Sequence, residues 1–458
     1  MYPQHQTFFV LGLSKSGISA TEFLLSKNAK VYIYDDLQSE RIEKTAVALS
    51  ERGAKWVQKE ELGKMTEVCD ALVLSPGIPI DHPISVSFKR NKKAVLGETE
   101  LACRYIRFPV VAVTGTNGKT TTVSMLAEVL NAGGLNAKTC GNIGVPMLDI
   151  CESEVGVAVA EISSFQLETL SSICPHIAVV LNITEDHLNR HYNMDNYIFL
   201  KAKLLKNMTE TEFAVLNADD EIVRSFAEKT KARCVWFSLK ERIKGGYLEN
   251  NKLCFDGEEI ISVDELPLSG AHNIQNALAV ICVAKIFEVN SADIKKALKN
   301  FKGIAHRIER IAEIDGVEYI DDSKGTNVDA TIKAVECMKR KTVLLLGGKN
   351  KGYDYLKLFE KIKNSKVVKA VLYGENRYAL LKAAMENGYD AVTLCQDFST
   401  AVRIAKMLAR PNEAVLLSPA SASFDEFTGY EERGEKFVEI VRSFAEEDIR
   451  KEPSNAQE

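Results

Sequence analysis

No stretch of this 458-residue chain holds enough consecutive apolar residues to span a bilayer, and the opening Met1-Tyr2-Pro3-Gln4-His5-Gln6 lacks the basic region of a targeting peptide. Membrane insertion is therefore not expected. The ten cysteines include no C-x-x-C pair and follow no regular spacing, which argues against a disulfide framework and a zinc site and for reduced thiols in a cytoplasmic protein. No long basic block is present either. With 63 acidic against 58 basic residues and a formal charge of −5, a nucleic-acid partner is not expected. There is no internal repeat and no low-complexity segment. What remains is an ordinary globular composition, 46% hydrophobic and 26% charged, in a chain long enough for two to four domains.

The most informative stretch is Thr114-Gly115-Thr116-Asn117-Gly118-Lys119-Thr120, between the apolar run Pro109–Val113 and the helical pattern Thr121–Leu126. Strand, glycine turn and helix in that order aim backbone N–H groups and a helix N-terminus at one point, which suits a polyphosphate. Lys119 would reach the terminal phosphates, and the Thr120 hydroxyl is placed to ligate magnesium. A full P-loop has one more glycine, where this chain has Val113, so the loop is a shortened one.

Further strand-to-turn junctions surround it. Phe8–Leu11, the turn Gly12-Leu13-Ser14-Lys15-Ser16-Gly17, a helix to Lys27 and Val31–Tyr34 ending at Asp35-Asp36 form a βαβ unit of dinucleotide-binding type. Ser14 replaces the glycine that lets backbone approach a pyrophosphate. A nucleotide-sugar diphosphate near Lys15, Ser16, Asp35 and Asp36 fits better than NAD, and Ser75-Pro76-Gly77 ends the next strand toward the same ligand. In the middle of the chain, strands end at Glu161 and before His187. An open parallel sheet binds beyond its carboxyl ends, so these residues should converge with Lys119, and Glu161 becomes a metal-ligand candidate. A helical pattern from Asp195 to Met208 carries Lys201 and Lys203. His272, Asn273 and Asn276 open a long helix, where asparagine serves equally as a cap or as a reader of an adenine edge. After His306-Arg307, strands alternate with helices again and end in lysine- and serine-rich turns, a second anion-binding face. Boundaries near Gly97 and Gly303 give units of 1–97, 98–303 and 304–458.

Eight motifs occur in order: GTNGKTTT at 115–122, GNIG at 141–144, EISSFQLE at 161–168, NITEDHLNRH at 182–191, GAHNIQN at 270–276, AHR at 305–307, DDSKGTN at 321–327 and LLSPASASFDEF at 416–427. Over nearly the whole chain they resemble the Mur ligases. The last motif and the N-terminal GLSKSG turn point, within that family, to the member adding D-glutamate to UDP-N-acetylmuramoyl-L-alanine. The resemblance implies an α/β chain of three domains: a Rossmann-like N-terminal domain, a central P-loop ATPase-like domain with a mainly parallel sheet and a Rossmann-like C-terminal domain.

It implies that ATP phosphorylates the alanine carboxylate and that the D-glutamate amine attacks the acyl phosphate. A sister ligase or a folylpolyglutamate-like synthetase, with another amino acid or acceptor, is the alternative. Gly115, Thr116, Asn117, Gly118, Lys119, Thr120 and Thr121 would hold ATP phosphates, Asn273 and Asn276 the adenine, Arg307 the phosphates and Asp322 the ribose. Two magnesium ions would sit on Thr120 and Glu161, and on His187 and a carbamylated Lys201. Tyr197, four residues before Lys201, selects it over Lys203. Asn142 and His187 would meet the acyl end of the nucleotide substrate, and Lys15, Ser16, Asp35, Asp36, Ser75 and Gly77 its uridine diphosphate. His306, Lys324, Thr326, Lys351 and Ser423 would hold D-glutamate, with Tyr430 beside it. The expected working form is a monomer.

Overall fold

The structure, a computed structural model, describes residues 4–37, 39–268, 270–350 and 352–449. It is α/β, with three sheets. The first contains Thr7–Leu11 (β1), Lys30–Tyr34 (β2), Lys55–Trp56 (β3), Ala71–Leu74 (β4) and Ala94–Leu96 (β5) in the order β3-β2-β1-β4-β5, all parallel. Strand order reverses between β1 and β4. That reversal opens a crevice at their carboxyl ends, where the turns after Leu11 and Leu74 lie.

The second sheet contains Val110–Thr114 (β6), Ala137–Gly141 (β7), Val157–Glu161 (β8), Ile177–Val180 (β9), Phe213–Asn217 (β10), Arg233–Ser238 (β11), Gly245–Glu249 (β12), Lys252–Phe255 (β13) and Glu258–Ser262 (β14). Its order is β14-β13-β12-β11-β10-β9-β6-β8-β7. β6 pairs in parallel with both β8 and β9, and Val113 stands opposite Glu161. The glycine loop thus begins beside the strand end that carries Glu161. These strands are buried on both faces and so read as unbroken Val/Ala/Ile runs. β12–β14 are antiparallel, and the sequence reading named no strand in that stretch.

The third sheet contains Glu309–Ile314 (β15), Val317–Asp321 (β16), Thr342–Gly347 (β17), Val367–Tyr373 (β18), Val392–Leu394 (β19) and Ala414–Leu417 (β20) in the order β15-β16-β20-β17-β18-β19, parallel except for the β15 edge.

By their contacts the residues fall into two compact units, one running to Pro267 and including Asn273–Phe301, the other made of Leu268–His272 and the chain from Lys302 onward. The first unit holds the first two sheets around a continuous apolar core. There the helix Lys15–Ser26 packs on Glu98–Ala102 and on the turn Met147–Ile150, Phe23 meets Tyr105 edge-on at 4.7 Å, and Ser19 Oγ donates to Asp149 Oδ1 at 2.5 Å. The second unit packs helices on both faces of its own sheet.

The helix expected over 195–208 is shorter than its sequence pattern, running Met194–Ala202 before tightening into a 3₁₀ turn at Lys203–Leu205. Among the described residues no helix is long and apolar enough to cross a membrane.

Gly17 allows the first turn of helix Lys15–Ser26 to close against the β1 loop. A Cβ there would lie 1.8 Å from the Gly12 carbonyl oxygen, whereas one on Gly63 would meet nothing within 4 Å. Gly17→Ala should therefore destabilise the first unit by roughly 1–3 kcal/mol, while Gly63→Ala, inside a helix, should stabilise by roughly 0.5–1 kcal/mol. Urea unfolding followed by far-UV circular dichroism checks both, and equal midpoints for the two variants would refute the close approach.

Candidate active site

The glycine loop is fastened to the end of β9 through Asn182 and Thr116. Asn182 Oδ1 accepts from Asn117 N at 2.9 Å, its Nδ2 donates to Asn117 O at 3.1 Å, and its carbonyl accepts from Thr116 N at 2.9 Å. Thr116 Oγ1 donates to Thr184 O at 3.0 Å and lies 3.1 Å from Tyr197 Oη. Lys119 opens the helix Lys119–Ala132, and its Nζ donates back to Gly115 O and Thr116 O at 2.9 and 2.7 Å. Gly118 is needed in two respects: its φ of 88° is left-handed, and a Cβ would lie 2.5 Å from Asn276 Oδ1. The loop therefore touches the helix Ala271–Ile286 that carries Asn273 and Asn276, both buried. Thr120 and Thr121 are buried in the first turn behind the loop.

Glu161 is 2% exposed, and its Oε1 accepts from Asn142 Nδ2 at 2.8 Å. Lys201 is 1% exposed, and its Nζ donates to Gly115 O at 2.8 Å and Thr114 Oγ1 at 3.2 Å. Burial holds this amine well below the ordinary lysine range. Nearby Lys119 acts in the same direction, and Asp186 and Glu161 oppose it. Lys203 faces elsewhere, with Nζ on the carbonyls of Leu167 and Glu168. His187 has a left-handed φ of 54°, its ring is tilted against Phe165 with centroids 4.7 Å apart, and it lies 3.5 Å from Asp186 Oδ2.

At the crevice of the first sheet, Asp35 Oδ2 accepts from Leu13 N at 2.6 Å, Asp36 Oδ2 lies 3.1 Å from His82 Nε2, and Ser75 Oγ donates to Gly12 O at 2.8 Å. Lys15 and Gly77 are exposed there, and Ser16 is half-buried.

In the second unit, Asp321 is fully buried. It accepts from Ser323 N through Oδ1 and meets His306 Nδ1 at 2.7 Å through Oδ2. That hydrogen bond holds the His306 imidazole above the ordinary histidine range. Asp322 accepts from Ser418 Oγ at 2.6 Å. Burial pushes its carboxyl up to about 7, with the Ser418 bond and Arg307 opposing. Lys324 Nζ sits 5.0 Å from the Tyr430 ring centroid, Thr326 N donates to Lys324 O, and Ser423 is buried. Arg433, also fully buried, ties two turns together: Nε and Nη2 donate to Ser323 Oγ and O at 3.0 and 2.7 Å, and Nη1 to Ser421 O at 3.1 Å. Lys351 lies outside the described residues, and its neighbour Lys349 pairs with Glu375 at 2.6 Å.

Three domain-family models match the chain: "Mur ligase MurD-like, N-terminal domain" over residues 6–97, "Mur ligase middle domain" over 113–284 and "Mur ligase, glutamate ligase domain" over 306–421. The UDP-N-acetylmuramoylalanine--D-glutamate ligase of Pelotomaculum thermopropionicum is 41% identical, covering 95% of this chain and 97% of its own. The chain belongs to the Mur ligase family. The enzyme of the same name from Streptococcus mutans is 37% identical over 96% of this chain and 98% of its own. Among solved structures, the UDP-N-acetylmuramate-alanine ligase of Thermotoga maritima superposes with a TM-score of 0.63 at 18% identity, covering 96% and 100% of the two chains. MurF from Acinetobacter baumannii does so with 0.60 at 19%, covering 94% and 93%. At these identities the superpositions establish the three-domain Mur ligase fold.

Among the described residues at this Mur ligase's site, Glu161 Oε2 and Asn276 Nδ2 are buried with no hydrogen-bond partner. A bare carboxylate oxygen suits a hard divalent cation, and a bare amide N–H suits a ring-nitrogen acceptor. The residues present thus fit a nucleotide and its metal. Sequence reasoning missed Asn182, Asp186 and Arg190, although all three lie inside the NITEDHLNRH motif it singled out, and it missed Arg433 altogether. The first three follow a strand end, which was the available signal; Arg433 sits in a charged helical stretch with none.

The folded state holds the Asp322 proton more tightly than an unfolded chain of ordinary value 3.8, so stability of the second unit should fall as pH rises between about 4 and 7. Asp322→Asn should flatten that part of the profile. Thermal midpoints of both proteins across that range check it, and parallel profiles would refute the assignment.

Proposed function

We propose that this Mur ligase joins D-glutamate to UDP-N-acetylmuramoyl-L-alanine with hydrolysis of ATP, acting in the cytoplasm, where ATP and a nucleotide-activated precursor are both available. Its working form in this reading is a monomer. The observation that carries the reading is the orphaned Glu161 oxygen, one strand from a glycine loop whose lysine faces its own carbonyls. Full-length relatives bearing the D-glutamate ligase name support the choice of amino acid over a sister activity. Working domains of 1–97, 98–303 and 304–458 follow the three sheets.

In this reading Lys119 and the backbone N–H groups of Gly115–Thr121 hold the ATP phosphates, Asn273 and Asn276 the adenine, Arg307 the phosphates and Asp322 the ribose. Magnesium, when bound, neutralises phosphate charge as the alanine carboxylate is phosphorylated. Thr120 and Glu161 would hold one ion, His187 and Lys201 a second. Lys201 is suited to carbamylation because burial favours its neutral amine. The nitrogen lone pair bonds to the carbon of CO₂, a proton leaves to solvent, and the resulting carbamate anion takes the place of a neutral amine. Asn142, fixed by Glu161, would orient the acyl end of the substrate. His306, Lys324, Thr326, Lys351 and Ser423 would bind the two carboxylates of D-glutamate, with the Tyr430 ring beside Lys324.

Phosphate release with ATP, magnesium and the nucleotide substrate should require D-glutamate, with no release for L-glutamate, L-lysine, diaminopimelate or no amino acid. Release with another amino acid would move the chain to a sister ligase, and none with any would overturn the ligase reading. Lys119→Ala should lose at least about 3 kcal/mol of transition-state stabilisation, measured as kcat/KM, and near-wild-type turnover would sink the loop assignment. Lys201→Ala should be inactive and partly rescued by short carboxylic acids; full activity without them would make Lys201 a packing residue.

A further inference from the structure

The turn that follows His187 is fastened to the loop that follows β4, and one cation carries most of that attachment. Arg190 lies in the single helical turn Leu188–His191, bracketed by left-handed residues His187 and Tyr192, with φ of 54° and 70°. Its fork grips Glu168 in bidentate fashion, Nε on Oε1 at 2.9 Å and Nη2 on Oε2 at 2.6 Å. Three successive carbonyls of the other loop are also in reach: Nη1 donates to Gly77 O at 3.3 Å, and the second N–H of Nη2 is shared between Ile78 O at 2.7 Å and Pro76 O at 3.3 Å. The guanidinium also lies over the Phe165 ring, 4.9 Å from its centroid. The Arg190 and Glu168 side chains are only 13% and 6% exposed, so the pair is shielded from solvent. A second tether runs beside it, the Tyr192 hydroxyl donating to Asp81. On its other side, the same loop is held to the nucleotide crevice by Ser75 on Gly12 and His82 on Asp36.

Resting on the reading of Ser75 and Gly77 as the diphosphate side and His187 as the acyl side, we propose that Arg190 and Glu168 are positioning residues for the nucleotide substrate. They fix the separation between the loop that holds its diphosphate and the metal-side residues that hold its reacting carboxylate. A planar five-donor fork can meet a carboxylate and three carbonyls together; an ammonium on a flexible stem cannot. Holding both half-sites at the right spacing makes the second contact of a linked substrate effectively intramolecular, so the pair contributes to binding of the whole substrate and not of either half.

The test separates those quantities. In Arg190→Lys, which keeps a cation beside Glu168, affinity for UDP-N-acetylmuramoyl-L-alanine should fall at least about tenfold, while affinity for UDP alone and the KM for ATP and D-glutamate stay within about twofold. Glu168→Gln should reproduce the pattern more weakly. Arg190→Ala, which strands a buried carboxylate, serves only to report folding through its thermal midpoint. Equal weakening of UDP and whole substrate, or a fall in kcat with every affinity unchanged, would reduce the pair to a structural role and overturn the proposal. Failure of the wild-type protein to turn over the nucleotide substrate would sink the functional reading itself. Wild-type turnover with Arg190→Lys unaltered would sink the positioning role alone.

Discussion

The site of the first unit is arranged around a lysine amine buried beside its glycine loop. An ammonium at Lys201 would lose nearly all its hydration, gaining the Thr114 hydroxyl and the Gly115 carbonyl in exchange, and Lys119 opposes it from nearby. The surroundings moderate this in a consistent way. Asp186 and Glu161 lie close enough to act on the amine, and Tyr197, one helical turn earlier, closes over Thr116. A site that strains against one charge state is prepared for a change of charge, through modification or through an incoming anion and its metal.

The same economy recurs in the loop geometry. Asn182 satisfies both backbone groups of Asn117, so the loop conformation belongs to β9 as much as to the loop itself. Glu161 is fixed through one oxygen and left bare on the other, which sets its direction without filling its coordination. Positions are set by neutral hydrogen bonds, and the charged groups retain capacity for a ligand.

Much of this was legible from the sequence because parallel strands buried on both faces read as unbroken apolar runs, and ligand-facing residues follow such runs directly. Lys119 and Glu161 were picked out as candidates that way, whereas Asp322 came from the family resemblance. β12–β14 were not, since their short antiparallel strands are interrupted by the Asn250-Asn251 and Asp256-Gly257 turns and carry charged residues. Asn182 and Arg190 act through contacts 65 and 112 or more residues away, which no local pattern encodes. Choosing between Lys201 and Lys203 needed family spacing. Only the three-dimensional arrangement shows their different surroundings, a glycine-loop carbonyl for one and the end of a neighbouring helix for the other.

Arg433 bears on the order in which the molecule can be completed. It fixes the turn at Ser323 from 110 residues further along the chain, and the turn at Ser421 from twelve. During synthesis the Asp321–Asn327 turn emerges long before its anchor, and domains made on the ribosome settle from the N-terminal end. The loop-and-strand machinery of the first unit can be in place while the turn carrying Lys324 is still waiting. That turn is then completed last, when the helix Tyr430–Ile449 that carries Arg433 docks, and a chain stalled or clipped before Arg433 would be folded over most of its length yet lack that turn's tether.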